Sequence, residues 1–374
     1  MSDDRAPPES SMETVLLSAA VVMILATLVP TLRDDWWLIR IFEFPRVQVA
    51  VLCILTAIWF AAEWQADSAV KTVLLAGLGA CVIYQGYRIF PFTPLAKVEM
   101  IAVGLQDDRC SVRLLISNVL MTNRNAEPLL KLIRERDPDV VFCVECDEWW
   151  AERLKILDQD YPYRLAEPRD DTYGMVFYSR LPFVEAEIRH LRKEYAPSIK
   201  ACLETPGGMR FRLYGLHPEP PYPKFATRTT QRDAELLTVA KEIEQEEQPA
   251  IVVGDLNDVA WSYTTRLFQK ISGCLDPRVG RSQLSTFPAD FPFMRFPLDH
   301  VFASDDFRLI KLERLPHVGS DHFPVFVHLQ FDAMAPALQE EPEVEAEDRE
   351  LVEEKLERAD RTRGEEAPYD FLQD

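Results

Sequence analysis

The sequence predicts an α/β domain with a large sheet core covered by helices, preceded by three membrane-spanning helices. Two observations carry this reading. Strand-like apolar runs alternate with helical runs over roughly 220 residues without an internal repeat. Ahead of them, three uncharged apolar runs open the 374-residue chain.

Residues 1–12 read as a polar N-terminal tail. The runs Thr14 to Leu32, Val47 to Ala62 and Thr72 to Tyr87 carry no charge and predict a three-helix transmembrane region over 13–90. At roughly 1.5 Å per residue, the second and third fall somewhat short of a hydrocarbon core of about 30 Å. Arg46, Trp59, Trp64, Lys71, Tyr84 and Arg88 at their ends can snorkel or sit at the interface, as can Trp36 and Trp37. A buried bundle in a soluble domain is the competing reading, and three successive runs weigh against it. A cleavable signal peptide would explain only the first run. Three spans put the N-terminus and the large domain on opposite sides. Arg33, Arg40, Arg46, Arg88 and Lys97 lie on the domain's side, against Arg5 and Lys71. Positive-inside logic therefore places the domain in the cytoplasm, on a multi-pass protein of the cell (inner) membrane.

A linker, 91–109, leads into the large domain, 110–332. "SVRLLISNV" reads as a strand, "AEPLLKLIRER" as an amphipathic helix, "VVFCVE" as a strand after a "DPD" turn, and "DEWWAERLKIL" as a helix. The later strands are "GMVFYS", "FRLYGLH", "AIVVGD", "LDHVFAS" and "PVFVHLQF", two of them separated by a long helix from about Phe225 to Glu246. The closing stretch, 333–374, is Glu-rich and poor in aromatics; it is predicted to be disordered or a solvated helix, able to bind a protein partner.

The formal net charge is -20, and much of it sits in that closing stretch. The acidity excludes a bulk basic surface for phosphate backbones, so an anionic substrate needs local cations or a metal. Seven cysteines include the C-x-x-C of Cys143 and Cys146. In an alternating "VVFCVEC" strand the two sulfurs face opposite sides, so ordinary buried thiols are expected there instead of zinc or redox chemistry.

Several strands end alike, in an acid, amide or imidazole after an apolar run. These ends are Asn118, Glu145, His217, Asp255 with Asn257, Asp299, and Asp321 with His322. Each alone has an ordinary reading as a turn cap, a helix start or a loop-amide acceptor. Sheet edges, however, gather strand ends in space. A cleft of imidazoles, carboxylates and amides suffers like-charge repulsion that a divalent cation relieves.

The ordered set Asn118, Glu145, His217, "GDLN" (254–257), Asp299-His300 and "SDH" (320–322) resembles the endonuclease/exonuclease/phosphatase superfamily. That superfamily includes pancreatic-type deoxyribonucleases, apurinic-site endonucleases, inositol-polyphosphate phosphatases and neutral sphingomyelinases. The likeness spans Arg113 to about Phe331. "STFPADFPFMRFPLDHVFAS" further resembles a membrane-anchored bacterial branch. The resemblance implies a four-layer αββα sandwich of two packed mixed sheets flanked by helices, and a phosphoesterase using Mg2+, with Mn2+ as substitute. Glu145 would be the principal metal ligand, with Asn118 and Asp321. Asp255 would orient or deprotonate the attacking water, and Asn257 would hold the phosphate or that water. His322, steadied by Asp299, would contact a phosphoryl oxygen or shuttle a proton, with His217 acting likewise from the opposite side.

Some members carry an acid two positions past the first Asn. Leu120 stands there, which favours one metal over two. Tyr173 is a candidate for the aromatic expected between Glu145 and His217. Arg180 in "FYSRLP" is a candidate phosphate ligand, and Arg228 and Arg232 are candidate sources of positive charge. His190, His300, His317 and His328 have structural readings. The leading function is a membrane-anchored Mg2+-dependent phosphodiesterase of nuclease type. The alternatives are a phosphoesterase for lipid or inositol-phosphate head groups, and an inactive membrane scaffold. The expected partners are a phosphoester substrate (nucleic acid or lipid head group) and the lipid bilayer.

Overall fold

The computed structural model describes residues 9–62, 69–221, 227–246 and 248–363. The chain divides into two compact units, Met1–Pro91 and Phe92–Asp374.

In the first unit, α1 (Glu9–Leu28), α2 (Trp37–Arg40), α3 (Arg46–Ala62) and α4 (Ala69–Ile89) follow the apolar runs. Thr14–Leu32 and Ala69–Phe92 are long and apolar enough to cross a membrane. The middle run differs from expectation. Its helix has 17 residues and qualifies only together with Trp37–Glu43, from which it is bent by 70°. The expected three spans are therefore two, or three if that bent pair counts as one. A polar staple joins the helices: Arg46 Nη1 donates to Gln85 Oε1 (3.1 Å), and Gln85 Nε2 donates to Thr27 Oγ1 (3.1 Å). Trp64, the first eight residues and the expected helix start at Phe225 lie outside the described residues.

The second unit runs β1 (Ser111–Asn118), α5 (Glu127–Arg136), β2 (Val140–Val144), α6 (Glu148–Leu154), β3 (Tyr163–Glu167), β4 (Met175–Ser179), β5 (Phe183–Arg189), β6 (Ser198–Glu204) and β7 (Arg210–Leu216). It continues with α7 (Thr230–Glu246), β8 (Ala250–Asp255), α8 (Tyr263–Ser272), β9 (Asp299–Ala303), β10 (Phe307–Arg314), β11 (Val325–Phe331) and α9 (Ala346–Thr362). Two mixed sheets result, ordered β10-β11-β1-β2-β4-β3 and β5-β6-β7-β8-β9.

Strand alternation explains the layers. In β2, Val140, Phe142 and Val144 point inward to meet Leu213, Ile251 and Val253 of the other sheet. Val141 and Cys143 point outward, onto Leu129, Ile133 and Trp150 of α5 and α6. On the far side Tyr214, Val252 and Phe302 pack under Leu237 and Ala240 of α7 and Phe268 of α8. The four-layer αββα sandwich is the observed architecture.

Two readings of the sequence need correction. Cys143 and Cys146 do not face opposite sides; both are buried in the same outer cluster as free thiols. The strand ends at Val144, and Glu145 takes a left-handed φ of 60° that resets the alternation. Of the two alternatives for the closing acidic stretch, Ala346–Thr362 takes the helix, packed on one face instead of solvated. It forms α9, capped by a Glu345/Asp348 capping box, with Val352 and Ala359 buried against the domain.

Candidate active site

Strand direction collects the polar strand ends. β1 and β2 are parallel, so Asn118 and the residue after Val144 emerge on one edge. β7 and β8 are also parallel, which brings His217 beside Asp255. β9 is antiparallel to β8 with Asp299 opposite Asp255, and β11 is antiparallel to β1 with Val325 opposite Ile116. The "SDH" loop before β11 therefore reaches the same edge.

The side chains meet. Asn118 Nδ2 donates to Glu145 Oε1 (2.8 Å) and to Asp255 Oδ2 (3.1 Å), linking the two sheets. His322 Nε2 lies 3.4 Å from Asp255 Oδ2, and its Nδ1 lies 2.8 Å from Asp299 Oδ2. His217 Nε2 approaches Asp255 Oδ2 at 3.9 Å. Asn257 Nδ2 donates to the Pro218 carbonyl (2.9 Å), while its backbone N–H donates to Asp255 Oδ1 (2.9 Å). Asn257 adopts a left-handed φ of 51°, a conformation Asn tolerates better than most residues. Gly254, at φ 143°, would place a Cβ 1.9 Å from the Leu216 carbonyl oxygen, so the first residue of "GDLN" must be glycine.

The electrostatics divide these groups. Burial depresses the His322 imidazolium, but Asp299 and Asp255 together outweigh it and raise its pKa to about 10. His217 shifts the other way, because burial exceeds the help from Asp255. Burial lifts Glu145 to about 7; the Asn118 hydrogen bond opposes this and the charges of Asp321 and Asp255 add to it. Among the described residues, no lysine or arginine forms an ion pair with Glu145, Asp255 or Asp299. The edge thus carries excess negative charge on oxygen donors, which suits a hard divalent cation.

Two sets of ligands compete for such an ion. Asp255, Asp299 and His322 offer donor atoms all within 4.8 Å of one another. Yet Asp299 and His322 already neutralise each other, and a protonated imidazole cannot ligate. Glu145 lies outside that group and feels the charge of Asp321. Asn118 Oδ1 accepts from the Leu120 N–H (3.0 Å), and its amide nitrogen faces the two carboxylates as a donor.

The other candidates sort by position. Tyr173 is buried and stacks at 5.7 Å on His217 and 5.3 Å on Tyr195. Arg180 is not at the site. Ser179 pairs with Val140, at the opposite end of β4, where Arg180 Nη1 bonds Asp137 Oδ1 (2.5 Å) and lies over the Tyr161 ring. Arg228 is exposed. Arg232 is buried behind the site, with Nη1 donating to the Asn257 carbonyl (2.8 Å). His190 contacts Glu167, His317 the Ser320 carbonyl, and His328 Ser111 Oγ. His300 points away from the cluster but braces it, with Nε2 on the Asp258 carbonyl (2.9 Å) and Nδ1 on Arg278 Nη2 (2.7 Å). Phe287, which residue types alone did not single out, stacks on His322 at 4.7 Å. Its signal was its place in "STFPADFPFMRFPLDHVFAS".

A family model described as "Endonuclease/Exonuclease/phosphatase family" matches residues 115–322, more than half of the chain. No curated protein matches. Solved structures similar to the chain include an endonuclease/exonuclease/phosphatase family protein from Bacteroides thetaiotaomicron, at 19% identity and TM-score 0.49, over 59% of this chain and 98% of that one. Another is the human Nocturnin catalytic domain, at 18% identity and TM-score 0.49, over 62% and 97%. A third is D. rerio TDP2, at 21% identity and TM-score 0.48, over 60% and 100%.

Proposed function

The chain belongs to the Endonuclease/Exonuclease/phosphatase family and is a hydrolase of ester bonds, and from that premise we propose a membrane-anchored, Mg2+-dependent phosphodiesterase of nuclease type. The observation that carries the reading is the convergence of Asn118, Glu145, His217, Asp255, Asp299 and His322 from both sheets. An arrangement that joins uncompensated carboxylates to a cationic imidazole suits attack of water on a phosphoryl group.

Glu145 and Asp321 would hold Mg2+, which supplies charge neutralisation at a phosphoryl oxygen when bound. Asp255, its second oxygen fixed by the Asn257 N–H, accepts a proton from the attacking water. His322 stays protonated at neutral pH through Asp299 and donates Nε2–H toward the phosphoryl oxygens. His217, kept neutral by burial, accepts or relays a proton from the other side. Asn118 holds Glu145 and Asp255 at fixed separation, and Asn257 orients the water or the phosphate. The spanning-length helices of the first unit support attachment to a membrane, and the flanking cations support a cytoplasmic domain.

The test is a substrate panel with the detergent-solubilised full-length chain and Mg2+, with Asp255→Ala as control. Plasmid nicking and cleavage of a generic phosphodiester, both absent in the variant, are expected. Release of lipid or inositol-phosphate head groups without nicking would move the assignment to the head-group reading. Equal rates for wild type, Asp255→Ala and Glu145→Ala on every substrate would leave only the scaffold.

A further inference from the structure

α9 begins beyond the last residue of the family match, residue 322, yet a line of buried charges runs from it to the catalytic turn. Lys355 Nζ, on α9, lies 3.2 Å from Asp233 Oδ2 on α7. Asp233 Oδ1 accepts from Arg232 Nε (3.1 Å) and Nη2 (2.8 Å). Arg232 Nη2 also reaches Asp258 Oδ2 (3.2 Å), and its Nη1 donates to the Asn257 carbonyl (2.8 Å). All four charged side chains are buried. Asp258 organises the rest of the turn, accepting from Val259 N–H and Ser262 Oγ. The neighbour of Arg232, Gln231, donates to the Ala359 carbonyl of α9 (2.9 Å).

Removing one partner of a buried ion pair leaves the other charge buried and drives rearrangement. Lys355 is such a partner of Asp233, whose Oδ2 also accepts from Thr264 Oγ1 of α8 (2.8 Å). We propose that α9 is a positioning element for catalysis: through Lys355 and Asp233 it fixes Arg232, and Arg232 fixes the Asp255–Asn257 turn. The inference rests on the reading that this turn performs the hydrolysis.

The test compares wild type, Lys355→Met, Lys355→Arg and Lys270→Met in the full-length chain. Lys270→Met removes a different α9 contact, the Lys270–Asp348 ion pair at 2.6 Å, and leaves Asp233 untouched. Two readouts are taken: amide hydrogen exchange over residues 255–262, and kcat and KM on a generic phosphodiester. Lys355→Met is expected to speed exchange in that segment and lower kcat by about 10–100-fold with KM little changed. Lys355→Arg is expected to restore both, and Lys270→Met to alter neither. Unchanged exchange in Lys355→Met overturns the proposal, as does faster exchange with kcat intact, or equal losses in Lys355→Met and Lys270→Met. If no phosphoester is hydrolysed at all, exchange alone decides, and failure of the functional reading is told apart from failure of this one.

Discussion

The two ends of the sandwich contain the same residue types and use them differently. At the end where β2 begins, acids meet guanidinium groups: Asp139 accepts from Arg113 N–H (2.8 Å) near that residue's side chain, Asp137 bonds Arg180, and Glu313 pairs with Arg136 at 2.7 Å. At the end where β2 finishes, Glu145, Asp255 and Asp299 face amides and imidazoles. Charge matched by arginine stabilises modestly and holds elements in place. There burial, with the charges of Asp321 and Asp255 adding to it, raises Glu145 toward neutrality, while Asp299 and Asp255 outweigh burial and raise His322 toward permanent charge. On the proposed function the contrast separates a structural end from a reactive one.

The contrast breaks most directly at Asp255. Asp255→Ala is expected to lower phosphodiester hydrolysis by about 10²–10⁴-fold, while thermal unfolding shows a folded protein. Asp299→Asn is next, with a loss of about 10²-fold at pH 7. Because the imidazole is raised from its ordinary 6.5 to about 10, its pairing stabilises the fold fully below pH 6.5, and that contribution fades as pH climbs through 10. Stability between pH 7 and 10 should therefore fall more steeply in wild type than in Asp299→Asn, as read by unfolding temperature across that window.

Glu145 has the opposite sign. Its pKa moves from 4.5 up to about 7, so folding grows costlier as pH rises from 4.5 to 7 and the penalty persists above. In EDTA at pH 8, Glu145→Gln should be more stable than wild type by about 1–3 kcal/mol, with the gap closing near pH 4.5. A variant less stable at pH 8 would show that Glu145 is not electrostatically strained. The smallest effect belongs to the other end. Arg180→Ala should leave hydrolysis within about 2-fold and cost less than about 1 kcal/mol. A tenfold loss of activity there would restore Arg180 as a phosphate contact.

What the sequence disclosed follows from burial. The strands β1, β2, β4, β7, β8, β9 and β11 are buried along nearly their whole length, so they read as apolar runs ending in one polar residue. β3, β5 and β10 were missed because as edge strands they are half exposed and mix charges with apolar residues. β6 and α8 were missed with them. The site's members were legible as strand ends. Arg180 misled because it too follows a strand, and only the antiparallel register reveals that β4 runs the other way. Leu120, two residues past Asn118, takes a left-handed φ of 57°, a backbone feature that residue type did not announce. The role of Lys355 was hidden by the acidic composition around it, since a partner on α7 is visible only once α9 is docked.

The central claim, that the reactive end is short of positive charge a divalent ion supplies, is most directly tested by thermal unfolding of the full-length chain with and without Mg2+. Wild type and Arg180→Ala should rise by about 5 °C at saturating ion, and Glu145→Gln should not move. The same rise in all three, or none in wild type, would contradict it.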